Sequence, residues 1–113
     1  SVSREELRAT PLIVREPGSG TRRVIEEELG ELADPAGEFG SLSAQRAGMI
    51  ALGAPAIIPR SAVLDQVALG AAAIVATEVA FERSISAVFR RGATVPKDAT
   101  AFTRLAKSFG ALS

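Results

Sequence analysis

Residues 11–29 read PLIVREPGSGTRRVIEEEL, and they decide what kind of fold this chain can adopt. Leu12, Ile13 and Val14 form an unbroken apolar run, the pattern of a strand covered on both faces rather than one. Pro17, Gly18, Ser19 and Gly20 stop that strand and permit a tight reversal. Ser19 or Thr21 then offers a side-chain oxygen to an orphan N–H of a following helix. Ile25, Leu29 and Leu32 recur at i, i+4 and i+7 and give that helix a buried stripe, while Glu26, Glu27 and Glu28 face water. A buried strand, a glycine turn and an amphipathic helix make up the repeating unit of an α/β sheet.

The same turn leaves backbone N–H groups at a helix N-terminus beside two hydroxyls. Such a place suits a carboxylate, sulfate or phosphate, and it equally suits a well-made turn that binds nothing. Two phosphate-binding patterns fail on inspection. Thr21 and Arg22 follow Gly20 where a Walker loop needs Lys and Ser/Thr, and Arg23 occupies the position of the third glycine of a dinucleotide fingerprint.

Working outward, Ser3 with Glu6 fits a capping box ahead of a short helical turn. Downstream, Gly30 to Gly37 is a loop around Asp34-Pro35, and Glu38 to Ser41 is a second strand. Ser41 or Ser43 caps a second helix to about Leu52, with Ala44, Ala47, Gly48 and Ala51 as a face of small residues, and Gly53 ends it. Pro55 to Ile58 reads as a third strand. Ser61 caps a third helix that buries Leu64, Val67 and Ala68, and Ala71 to Thr77 reads as a fourth strand. Ser84 to Arg90 alternates Ile85, Ala87 and Phe89 with Ser86, Val88 and Arg90, so one face of this fifth strand is expected to be wetter. Pro96 opens a last helix whose stripe is Ala99, Phe102, Leu105, Ala106 and Phe109. Strands alternating with helices predict an α/β three-layer sandwich with a mostly parallel sheet.

Composition narrows the function. With 113 residues the chain holds one small domain. Thirteen Lys plus Arg balance 13 Asp plus Glu, whereas a domain that grips a phosphate backbone is clearly basic, so direct contact with nucleic acid is not expected. There is no cysteine and no histidine, which removes thiolate sites, the commonest metal ligand and the commonest general base; neither a metal nor a cofactor is expected. No apolar run approaches the roughly 20 residues of a membrane helix. SVSREEL lacks the regions of a signal peptide, and a soluble, cytoplasmic chain is expected.

Several segments together resemble the effector-binding domain of LysR-type bacterial transcriptional regulators, from Leu7 to Phe109. Glu16-Pro17-Gly18-Ser19-Gly20-Thr21-Arg22 looks like the family's glycine-turn segment, and Phe39-Gly40-Ser41 with Ala44 like its next strand-to-helix signature. Ile57-Ile58-Pro59-Arg60-Ser61-Ala62-Val63 looks like its apolar strand and proline. Arg83 with Val88, Arg90, Arg91 and Gly92 resembles its return strand, and Pro96 to Phe102 its last helix start. Two positions depart from the pattern: Leu52-Gly53-Ala54 replaces Gly-x-Gly, and Leu42 stands where Asn or Thr commonly follows the serine.

The resemblance implies one lobe of a type II periplasmic-binding-protein-like fold. The second lobe would span about residues 10–80, with a strand and helix at about 83–110 that cross back to a first lobe. That first lobe and the winged helix-turn-helix that reads DNA have no counterpart in these residues. It further implies that Ser19, Gly20 and Thr21, with Ser41 and Leu42 at the next strand end, line an inter-lobe cleft for a small organic or inorganic anion. Phe102, Leu105 and Phe109 would pair two chains in a homodimer or higher oligomer. The competing readings are a self-association module without ligand binding and an enzyme of the same architecture, the latter disfavoured by the missing histidine, cysteine and tyrosine.

Overall fold

In the computed structural model, which describes residues 1–81 and 85–91, short strands and helices follow one another, and serine caps open three of the helices. Ser3 caps α1 (Arg4–Ala9) through the expected capping box, its hydroxyl accepting from Glu6 N–H while the Glu6 carboxylate accepts from Ser3 N–H. β1 (Ile13–Arg15) leads through the glycine turn into α2 (Gly20–Leu29). β2 (Gly37–Phe39) leads into α3 (Leu42–Leu52), which Gly53 closes in the left-handed conformation at φ 67°. β3 (Ala56–Pro59) is followed by a single 3₁₀ turn, Arg60–Ala62, and by α4 (Leu64–Ala68). β4 (Ala72–Val75) and β5 (Ile85–Arg90) complete the sheet.

The sheet order is β2-β1-β3-β5-β4. β1 pairs in parallel with β2 and β3, whereas β5 pairs antiparallel with both β3 and β4. The sheet is therefore mixed, not the mostly parallel one that alternation of strands and helices suggests. Four strands run one way, and the fifth is inserted against them. β5, within the segment expected to cross back to a first lobe, is hydrogen-bonded on both sides within this sheet.

Two apolar clusters sit on opposite faces. Leu7, Leu12, Val14, Ile25, Leu29, Ile57, Ala87 and Phe89 pack under α1 and α2. Ile13, Met49, Ile58, Val63 and Val88 pack under α3 and the segment after β3. The alternation along β5 is real, but both its faces are covered, so Ser86 and Val88 are buried along with Ile85, Ala87 and Phe89. A strand between two neighbours, roofed on each side, has no wet face.

Two helices differ from their sequence reading. α3 turns Gln45, Gly48 and Met49 inward, while Ala47 and Ala51 face water. Gly48 lies against Phe39, and a Cβ there would sit 2.4 Å from the ring. After β3, Ser61 falls in the 3₁₀ turn, and α4 starts at Leu64 with no side-chain cap. Ala62 and Val63 are the buried residues of that segment. Leu64 and Ala68 are exposed, and Val67 is half-buried. The last helix, with Phe102, Leu105 and Phe109, lies outside the described residues.

Candidate functional site

β1 and β2 are parallel neighbours in register Ile13 with Gly37 through Arg15 with Phe39, so their carboxyl ends emerge side by side. Glu16 N–H donates to Phe39 O at 3.0 Å and ties the two exits together. The turn after β1 and the turn after β2 thus share one edge of the sheet. Ser19, Gly20 and Thr21 stand on the first, and Ser41 and Leu42 on the second.

Each serine caps its helix. Ser19 Oγ accepts from Arg22 N–H at 3.4 Å, and Ser41 Oγ accepts from Ala44 N–H at 3.1 Å. Ser19 N–H is used as well, donating to Glu16 O at 3.1 Å. The N–H groups of Gly20 and Thr21 are first in α2 and have no carbonyl of their own helix to reach. Gly18, at φ +92°, makes the reversal possible. A Cβ on Gly20 would meet nothing within 4 Å.

Two arginines around the turn, Arg15 and Arg22, are matched by carboxylates. Arg22 folds back: its Nη1 donates to Arg15 O at 2.7 Å and to Glu38 Oε1 at 2.7 Å, with Glu26 Oε2 3.5 Å from Nε. The hydrogen bond it donates to Glu38 and the nearby Glu26 carboxylate hold its guanidinium pKa above the ordinary arginine value. Arg22 is therefore a clamp between α2, β1 and β2, rather than the solvated charge its place in a first turn suggests. Arg15 Nε lies 2.8 Å from Glu16 Oε1, which together with a backbone hydrogen bond keeps that carboxyl below the usual carboxylate range. The resulting turn is rich in donors but has no surplus charge from Arg15 or Arg22.

Further along the same edge, β4 and β5 part after the pair Val75 and Ala87. β5 continues beside β3 to the pair Pro59 and Ile85, while the chain beyond β4 bridges to Val2 through Thr77. The wedge between them is a groove of about 430 Å³ lined by Arg60, Thr77, Val79, Phe81 and Ser86, among others. Arg60 Nε donates to Ser86 Oγ at 2.6 Å. Sequence reasoning placed Arg60 in a strand-to-turn segment and assigned it no role. The signal was an arginine directly after the proline that closes β3, on the edge where ligands bind in open α/β sheets. A second groove, about 300 Å³ between α2 and the loop at 30–35, is walled by Glu26, Glu31, Asp34 and the already paired Arg22.

In an open α/β sheet, ligands bind at the carboxyl ends of the strands, where these polar turns are gathered. The family described as LysR substrate binding domain matches residues 1–111, and the chain belongs to it. It is 36% identical over 106 residues to two uncharacterized HTH-type transcriptional regulators, Mb2303c of Mycobacterium bovis and Rv2282c of Mycobacterium tuberculosis. Each match covers 87% of this chain and 34% of the regulator, so the chain spans about a third of the length of these relatives. It is also 36% identical over 105 residues to a protein named phosphonates import ATP-binding protein PhnC of Anaeromyxobacter dehalogenans, covering 87% of this chain and 21% of that one. Among the described residues no helix is long and apolar enough to cross a membrane.

Proposed function

We propose that this chain is the effector-sensing portion of a LysR-type transcriptional regulator, one lobe of a type II periplasmic-binding-protein-like fold acting in the cytoplasm. Its carboxyl edge forms one wall of a cleft that takes a small anion. Ser19, Gly20 and Thr21 supply N–H and hydroxyl groups, and Ser41 and Leu42 border them. A second lobe closes over the ligand, and differential affinity for the closed state shifts an equilibrium that a DNA-binding domain reads. The chain has no catalytic role in this scheme. The observation that carries the reading is the adjacency of two strand-to-helix turns on one open edge, in a chain of this family.

The reading is tested by following backbone amides by NMR while phosphate, acetate or methylphosphonate is added; methylphosphonate is included because the Anaeromyxobacter relative is named for phosphonate import. The amides of Gly20 and Thr21 are expected to shift saturably with at least one anion. Gly20→Val, whose Cβ enters open space, is expected to keep the fold and abolish the shift. Saturable shifts confined to other edges of the sheet, or none with any of the three, overturn the assignment of the anion to this turn.

A further inference from the structure

The groove between β4 and β5 carries an arginine of its own. Arg15 and Arg22, beside the glycine turn, are each matched by a carboxylate. Arg60 is not: among the described residues no carboxylate lies within ion-pair distance of it, and none of the described residues in the wall of its groove is acidic. Its Nε is spent on Ser86 Oγ, a hydrogen bond that fixes the plane of the guanidinium and leaves the terminal Nη groups to donate. Ser86 is itself buried in the central strand β5, so the anchor is rigid. The wall also carries Val79, Phe81 and Ile85 beside the Thr77 hydroxyl, which donates to Val79 O at 2.9 Å and keeps its lone pairs for a ligand.

We infer that this groove is a second anion seat on the same edge, apart from the glycine turn. Arg60 pairs with a carboxylate or comparable oxyanion, Ser86 positions it, and Val79, Phe81 and Ile85 hold an apolar body of modest size. The ligand class at this seat is thus an amphiphilic organic acid. This rests on the reading that the effector binds at the carboxyl edge, and it adds a second seat there, which residue supplies its charge and what the rest of its ligand must be. A planar guanidinium held by its Nε suits bidentate pairing with a carboxylate, which is shorter and stronger than a neutral hydrogen bond.

The test uses the full chain, with phenylacetate as the acid and phenylacetamide as its uncharged counterpart, followed by NMR. Phenylacetate is expected to shift the amides of Thr77, Val79 and Ser86, and to bind about tenfold or more tightly than the amide. Arg60→Gln should remove that preference with an unchanged melting temperature, Arg60→Lys should restore part of it, and Ser86→Ala should weaken it less than Arg60→Gln. Equal binding of acid and amide overturns the inference. So does acid binding that shifts Gly20 and Thr21 and ignores Arg60→Gln, though the carboxyl-edge reading would then stand. Failure of wild type to bind either probe also overturns it, and the edge is then judged by its own titration with inorganic anions.

Discussion

At the residue scale, two positions explain how the candidate edge is held. Phe39 ends β2, and its ring fills a slot left by two glycines: a Cβ on Gly37 would lie 2.9 Å from the ring, and one on Gly48 would lie 2.4 Å from it. Valine at 48 would regain at most about 0.5 kcal/mol of helix propensity over glycine. Forcing the ring aside costs about 1–3 kcal/mol, so packing wins. Gly48→Val should lower the unfolding free energy by about 1–2 kcal/mol in chemical denaturation, and Phe39→Leu in the same chain should recover part of it. A neutral Gly48→Val would mean that the ring has room to move. The sequence suggested close approach along α3 but not its object, because a stripe of small residues says nothing about which aromatic meets it. Ala47 and Ala51, taken as part of that stripe, face water.

At the element scale, the junction of β1 with β3 is short: one register pair, Ile13 with Ala56, and one flanking hydrogen bond from Ile13 N–H to Pro55 O at 2.8 Å. Gln45 of α3 makes up for it. Its side chain is 1% exposed, and Nε2 donates to Ile13 O at 3.0 Å and to Ile57 O at 3.4 Å, serving two carbonyls where the strands diverge. Replacing it with leucine keeps the volume and removes the buried Oε1, which has no partner among the described residues, a gain of about 1 kcal/mol. It also removes both hydrogen bonds that the amide donates to buried carbonyls, at about 0.5–1.5 kcal/mol each. Gln45→Leu should therefore destabilise the chain by about 1 kcal/mol and raise amide exchange in β1 and β3 before that in β4; uniform exchange would show that the amide is no staple. This contact was hidden in the sequence, since glutamine on a helix reads as a wet face. What was legible was local. The capping box at Ser3, the turn at Gly18 and the left-handed stop at Gly53 depend on neighbours in the chain, and all three stand where periodicity and turn chemistry put them. The direction of β5 and the start of α4 depend on long-range pairing, which local patterns do not carry.

At the scale of the whole molecule, the burial of β5 changes what remains to make an assembly. Phe89 and Ile85 are part of the core of this lobe, so that strand is not available for exchange between chains. The apolar stripe of Ala99, Phe102, Leu105, Ala106 and Phe109, outside the described residues, is then the sequence feature left to find a partner. Burying one large side chain of this kind is worth roughly 1.5–3 kcal/mol. Leaving two phenylalanines and a leucine in water would forgo a large share of the roughly 5–15 kcal/mol by which a domain of this size is stable. A second copy offers the same stripe, and a two-fold interface is self-complementary, so Phe102, Leu105 and Phe109 are proposed to meet their counterparts across a symmetric homodimer. Sedimentation of the wild-type chain should give twice the chain mass. Phe102→Asp with Phe109→Asp should give the single-chain mass or an unfolded chain, two outcomes that far-ultraviolet circular dichroism tells apart. A wild-type chain that sediments as a folded monomer at tens of micromolar would place the stripe against its own lobe instead. In that case the double aspartate variant should lose stability without any change in mass.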